Sequence, residues 1–190
     1  MTATSIPTRH KARVGCPGAA VRVPHISTAR LDLRDWGKDL AGPDRTALEH
    51  DMARILTPTV LRGFPQAARD MSHGLRGWID RQSDLCHGLT IRPKGSSSTI
   101  GLVLLYPDPP ETLHLGYLLG QLHWGKGLAT EVIHALLQHL RPHAPLTLRA
   151  TVAIDNPASL RVLHKSGFHP DIGQDVPGLH RLVLKITADR

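Results

Sequence analysis

Apolar and polar positions along the chain change period several times, and each period predicts an element. Residues 31–34 (LDLR) alternate, as a half-buried strand does. In residues 43–56, Ala47, Leu48, Met52, Ile55 and Leu56 recur at helical spacing behind a Gly42-Pro43 start signal. A second helix is expected over residues 65–85, with Pro65 at a tolerated first-turn position and Gly74 and Gly77 weakening its middle. After residue 87 the pattern turns to strands. These are 87–92, the nearly continuous apolar run 99–106 (TIGLVLLY) and 112–119 (TLHLGYLL), with Pro107, Pro109 and Pro110 marking a turn. A long amphipathic helix is predicted over 125–140, where Leu128, Val132, Leu136 and Leu140 form one row and Ala129, Ile133 and Leu137 the next. Residues 146–152 (LTLRATV) read as a strand and 156–165 as a helix that Gly167 ends; Phe168 starts a strand, and 179–186 (LHRLVLKI) is a final strand. The order predicts a mixed sheet with helices packed on it, an α/β or α+β domain.

The length of 190 residues suits one domain, with 41% hydrophobic and 21% charged residues, a globular composition. No apolar run is long enough to span a membrane. Two cysteines, Cys16 and Cys86, cannot make a disulfide scaffold or a four-cysteine zinc site, so no metal and a reducing, cytoplasmic setting are expected. Residues 1–25 read as a flexible basic extension: Arg9, Lys11, Arg13 and Arg22 precede the first acidic residue, Asp32, and Pro7, Pro17, Gly18 and Pro24 break any helix. That segment has no apolar stretch of the secretory-signal kind. Residues 26–190 form the domain. The formal charge of +7 suits an anionic partner, a cofactor or nucleic acid, and equally a solvated surface. With 4% aromatic residues, a base-stacking platform is disfavoured.

The chemistry-bearing segment is 117–129 (YLLGQLHWGKGLA), where a strand ends, a glycine turn follows and a helix begins. Gly125 and Gly127 permit positive φ and close approach of a ligand. The unpaired first-turn N–H groups and the helix dipole behind them suit a phosphate or diphosphate, and Lys126 adds charge. The pattern is neither a P-loop nor the dinucleotide fingerprint, because Thr130 stands where the third Gly or Ala belongs; alone it is equally a plain turn. Thirty residues on, 153–168 (AIDNPASLRVLHKSGF) places Asn156 at a helix cap ahead of Pro157.

Three separate pieces together resemble the GNAT superfamily of acyl-CoA-dependent N-acyltransferases, in its ribosomal-protein-alanine N-acetyltransferase branch. Residues 28–34 (TARLDLR) look like that branch's T-x-R-L-x-L-R opening strand, and 124–131 (WGKGLATE) is similar to its W-G-K-G-x-A-T-E loop. Residues 156–168 resemble its N-x-x-S-x-x-V-L-x-K-x-G-F element. The resemblance covers residues 28–186 and implies a GNAT fold: a mixed central sheet splayed at the cofactor site, with helices on both faces. It implies acetyl-CoA as co-substrate. Tyr117, Leu118 and Leu119 would lie along the pantetheine arm. Backbone groups of His123, Trp124, Gly125, Lys126, Gly127, Leu128, Ala129 and Thr130 would hold the diphosphate. Asn156 and Ser159 would stand near the thiol.

The implied reaction is direct attack of a neutral amine on a thioester, which needs an oxyanion donor, a route for the ammonium proton and an acid for the thiolate. Many superfamily members carry a Tyr seven positions after the Asn; here that position is Leu163, and Ser159 is the implied acid. His114 and Glu111 are the candidate bases. After Phe168 the chain is shorter than in the family, and only Asp171 and Asp175 remain as acidic groups there. Substrate selection falls to residues 36–86 and the last hairpin, with Asp70, Asp80 and Asp84 as candidate partners of a cationic amine and Trp36 and Trp78 as candidate pocket walls. The acceptor is expected to be a protein N-terminus or a small-molecule amine such as a polyamine, amino acid or aminoglycoside. The resemblance leaves a homodimer open. Two rival readings stand beside the enzyme: a catalytically silent acyl-CoA sensor, and nucleic-acid binding through the basic tail.

Overall fold

The computed structural model describes residues 21, 23–62, 64, 69–173 and 176–188. Eight strands form one mixed sheet: β1 (His25–Ser27), β2 (Leu31–Asp35), β3 (His87–Pro93), β4 (Gly101–Asp108), β5 (Thr112–Leu119), β6 (Leu146–Ala153), β7 (His169–Pro170) and β8 (Leu179–Ile186). Their spatial order is β1-β2-β3-β4-β5-β6-β8-β7. Every neighbouring pair is antiparallel except β5 and β6, which run parallel. The helices are α1 (Trp36–Ala41), α2 (Arg45–Ile55), α3 (Pro58–Arg62), α4 (Gly74–Leu85), α5 (Leu128–Leu140) and α6 (Pro157–Lys165).

Two apolar clusters sandwich the sheet. On one face Val103, Leu105, Leu113 and Leu115 pack with Val132, Ile133 and Leu136 of α5 and Leu163 of α6. On the other, Leu102, Leu104 and Leu118 pack with Leu48 and Met52 of α2, Val60 of α3 and Trp78 and Ile79 of α4. Covering on both faces is why β4 reads as an unbroken apolar run rather than an alternating one. Trp36 and Trp78 are core residues of the second cluster. Trp36 lies against Gly88, where a Cβ would overlap its indole.

Several boundaries differ from the sequence reading, each for a local reason. The helix expected over 65–85 is interrupted at residues 70–73 and runs on from Gly74, because Gly74 has φ +70 and follows a turn in which the Ser72 N–H donates to Asp70 Oδ1 at 3.0 Å. Residues 65–68, including Pro65, lie outside the described residues. The helix expected from 125 begins at Leu128, since Gly125 and Gly127 have φ +72 and +74, outside the right-handed helical region. The strand expected at 99–106 occupies Gly101–Asp108, with Pro107 inside it opposite Leu113. Strand β1 and helices α1 and α3 were not predicted; each has six residues or fewer, too short to show a period. The strand expected from Phe168 is the two-residue β7. Of the basic extension, Arg9, Lys11, Arg13 and Arg22 lie outside the described residues, while Val23 is fully buried and its N–H meets His87 Nε2 at 3.2 Å.

One buried ion pair ties the helical layer to the sheet. Asp39 of α1 accepts from Arg92 Nη2 of β3 at 2.6 Å, and both side chains are about nine-tenths buried. Arg92 Nε has no hydrogen-bond partner among the described residues, so the guanidinium depends on Asp39. Replacing Asp39 with alanine is expected to cost about 3–5 kcal/mol in urea unfolding, because it strands a buried cation. The double variant Asp39→Leu/Arg92→Met should recover most of that loss, and a double variant as unstable as the single one would show that the pair itself holds α1.

Candidate functional site

The site grows out of the sheet's one parallel pairing. β5 and β6 pair only at Thr112↔Thr147, Leu113↔Leu148 and His114↔Arg149, although β5 continues to Leu119 and β6 to Ala153. Beyond His114 the strands therefore separate, leaving backbone groups on the facing edges free to pair with a ligand. A groove of about 630 Å3 opens at this gap, within the range of small-molecule sites.

The gap's open end meets the glycine loop. After β5, Gly120 donates to the Ile100 carbonyl at 2.9 Å and the chain makes a single 3-10 turn, Gln121–His123. Trp124 Nε1 donates to the Leu119 carbonyl at 2.7 Å, which fixes where the loop leaves the strand. The two left-handed glycines then turn the chain into α5, whose first helical bond runs from the Glu131 N–H to the Gly127 carbonyl at 3.2 Å. The N–H groups of Leu128, Ala129 and Thr130 precede that bond and have no partner within the helix. All three residues line the groove, so the positive end of the α5 dipole faces it. The N-terminus of α6 reaches the same groove through Asn156 and Ser159.

Tyr117, Leu118, Leu119, His123, Trp124, Gly125 and Gly127 also line the groove, as the sequence reading expects. Lys126 does not: its side chain is exposed and its carbonyl accepts from Arg30 Nη1 at 2.9 Å. Burial and then the Lys126 charge lower the His123 pKa, so this ring is neutral at pH 7. Arg161 and Lys165 of α6 also line the groove and give it cationic groups, of which sequence reasoning did not single out Arg161 and quoted Lys165 only as part of the 156–168 element.

At the inner end, the Tyr117 hydroxyl and Ser159 Oγ stand 2.6 Å apart. Burial pushes the Tyr117 phenol up to about 12, against the opposing pull of the Ser159 bond. It is therefore a proton donor throughout the neutral range. Asn156 Oδ1 accepts from the Ser159 N–H at 3.1 Å, so its oxygen serves as the α6 cap and only its amide N–H2 group is left for a ligand. Leu163, which stands where many superfamily members have a Tyr, is fully buried in the core.

His114 and Glu111 are not brought to this wall. Side chains alternate along β5, so His114 points to the sheet face away from Tyr117. There His114 Nε2 meets Asp108 Oδ2 at 3.0 Å, and Asp108 lies 4.0 Å from Arg149. Arg149 Nε in turn lies 3.2 Å from Asp171. His114 nevertheless belongs to the last paired register before the gap, at its closed end. Glu111 precedes β5 at the end remote from the glycine loop, is exposed, and contributes its carbonyl to Thr147 N–H at 2.8 Å. The candidate acceptor carboxylates are mostly taken: Asp70 by Arg81 at 2.7 Å and Asp80 by Arg45 at 2.6 Å, leaving Asp84 exposed on α4. Asp175 lies outside the described residues.

Among the described residues no group of three or more His, Cys, Asp and Glu side chains is placed to hold a metal ion. Nor is any helix among them long and apolar enough to cross a membrane.

Comparison with known proteins agrees with this geometry. The chain is 32% identical over 91 residues to "Probable N-acetyltransferase YjcK" of Bacillus subtilis (strain 168). That alignment covers 47% of each chain, so it spans about half the length of this curated relative. Among solved structures, an acetyltransferase from Agrobacterium tumefaciens str. C58 is 25% identical, with a TM-score of 0.57 over 86% of this chain and 95% of that one. Mycobacterium smegmatis RimJ, in complex with CoA-disulfide, superposes with a TM-score of 0.65 at 17% identity over 90% of both chains. The model of the family described as Acetyltransferase (GNAT) domain matches residues 30–169. With nearly three-quarters of its length matched by that model, and with a sheet that splays beside a glycine loop and a helix N-terminus, the chain belongs to the GNAT acetyltransferase family.

Proposed function

We propose that this chain transfers an acetyl group from acetyl-CoA to a primary amine, on a protein N-terminus or a small molecule, by direct attack. The observation that carries the reading is the β5–β6 gap, closed at His114↔Arg149 and opening onto the N-terminus of α5. An extended amide-bearing arm fits between the free strand edges. The diphosphate fits over the N–H groups of Leu128, Ala129 and Thr130, with Arg161 and Lys165 also lining the groove.

The chain's own groups divide the proton work. When the amine attacks the thioester carbon and the carbon–sulfur bond breaks, Ser159 Oγ supplies a proton to the leaving sulfur, is refilled from the Tyr117 hydroxyl, and Tyr117 regains its proton from solvent through the open groove. The amine must shed a proton, and His114, held by Asp108 and partly exposed on the sheet face opposite Tyr117, is the group that accepts it. Asn156 contributes the amide group that its capping role leaves over. Glu111 takes no part in this scheme, being at the far end of β5. Because Asp70 and Asp80 are spent on arginines, an acceptor with a single amine is favoured over a polyamine or aminoglycoside.

Calorimetric titration with acetyl-CoA, with free thiol release followed across an amine panel, tests this. Binding with release on a single-amine acceptor supports it. Binding without release on any amine leaves an acyl-CoA sensor in place of an enzyme. No binding overturns the assignment of the groove.

A further inference from the structure

The opening motif has no role in the scheme above, yet its side chains converge on the glycine loop. Thr28 and Arg30 sit in the turn between β1 and β2, and Glu131 in the first turn of α5, about a hundred residues away. Glu131 Oε1 accepts from the Thr28 hydroxyl at 2.5 Å and from the Arg30 backbone N–H at 3.0 Å. Glu131 Oε2 accepts from Arg30 Nε at 2.7 Å and forms an ion pair with the same guanidinium, 2.6 Å from Nη2. The remaining arm of the same guanidinium, Nη1, donates to the Lys126 carbonyl at 2.9 Å.

We infer that Arg30 is a positioning residue for the cofactor: it orients the Gly125–Gly127 turn through the Lys126 carbonyl and draws the Glu131 charge out of the anion site. This rests on the acetyl-CoA reading above. Arg30 acts on the loop in two ways. A planar trans peptide points its C=O and N–H in opposite directions. With the Lys126 carbonyl held on Arg30, the Gly127 N–H points away from Arg30, and Gly127 lines the groove. Second, a carboxylate in the first turn of a helix competes with a bound anion for the same dipole and N–H groups. Burial by itself opposes ionisation of Glu131, but the Thr28 and Arg30 bonds outweigh it and hold its carboxyl below the usual range. Glu131 is therefore a permanent anion beside a site for anions, and Arg30 neutralises it there.

A purely structural clamp and this role differ in how the two residues combine. Arg30→Ala should raise the acetyl-CoA KM and Kd about 30-fold with kcat nearly unchanged. Glu131→Gln alone should change KM less than about threefold. The double variant Arg30→Ala/Glu131→Gln should bind acetyl-CoA at least about threefold more tightly than Arg30→Ala, because the repelling charge is gone. Arg30→Lys should fall between wild type and Arg30→Ala, since an ammonium cannot serve the carboxylate and the Lys126 carbonyl together. Circular dichroism of each variant checks folding; should Arg30→Ala not fold, Arg30→Lys with and without Glu131→Gln carries the same comparison. If the wild type binds acetyl-CoA and Arg30→Ala binds it equally, or the double variant is no better than the single, the inference falls alone. If the wild type does not bind acetyl-CoA, the proposed function falls and takes the inference with it.

Discussion

Gly127→Val is expected to weaken acetyl-CoA binding at least about 100-fold while the protein stays folded. Gly127 is the residue before α5 and has φ +74. A β-branched side chain there is a steric outlier, at about 1–2 kcal/mol of strain for a left-handed L-residue. The loop escapes that strain by rotating to negative φ, which swings the Gly127 and Leu128 N–H groups out of the groove. Losing two charge-assisted hydrogen bonds at about 1.5–3 kcal/mol each gives the 100-fold or more. Gly127 is exposed, so melting should fall by only about 2–8 °C. Gly127→Ala should show the same direction with a smaller effect. Isothermal titration of the two variants beside the wild type checks this, and unchanged affinity in Gly127→Val would remove the loop from the binding site.

Ser159→Ala is expected to lower kcat about 100-fold with little change in the acetyl-CoA KM, the lower end of what general acid catalysis contributes. Ser159 Oγ lies 2.6 Å from the Tyr117 hydroxyl. An aliphatic hydroxyl is a poor acid by itself, and a phenol behind it refills the proton it gives. Tyr117→Phe should therefore also lower kcat, by about tenfold, and the double variant should be little worse than Ser159→Ala because the two act in series. The pH dependence follows from the same groups. With its pKa pushed up to about 12 by burial, Tyr117 stays protonated through pH 10, so no alkaline loss of kcat in that range belongs to it. The deficit of Ser159→Ala should shrink above about pH 8.5, the ordinary thiol pKa, where the sulfur leaves without needing a proton. A deficit in Ser159→Ala that appears in KM instead, or is absent, would reduce Ser159 to its place in the α6 cap.

The comparison of sequence with structure divides by range of interaction. The alternation in 112–119, the helical rows of Leu128, Val132, Leu136 and Leu140, and the capping position of Asn156 are local properties, and the structure places all three where the pattern did. The second helix is interrupted at residues 70–73, because nothing in its period reveals that Gly74 adopts φ +70. Short elements such as β1 and α3 owe their conformation to what they pack on, and three to six residues carry too few positions to show a period. The base assignment was weakest for a similar reason. His114 and Glu111 are three residues apart on one chain, but the hairpin turn leaves Glu111 exposed at the sheet end while the strand carries His114 to the closed end of the gap.

By itself the sequence determined the strand, glycine turn and helix at 117–140, the helix cap at Asn156 and the resemblance that these carry. Each depends on backbone preferences acting over a few residues, which the amino-acid types set directly. Long-range packing sets the rest: β5 and β6 part after three paired residues, Tyr117 meets Ser159 forty-two positions away, and Arg30 closes on Glu131 and the Lys126 carbonyl. Those contacts follow from strand order and register, which are fixed by the simultaneous packing of two apolar clusters on opposite faces of the sheet. No local pattern encodes a register shared by segments a hundred residues apart, and the groove, the Tyr117–Ser159 contact and the Arg30–Glu131 pair all reside there.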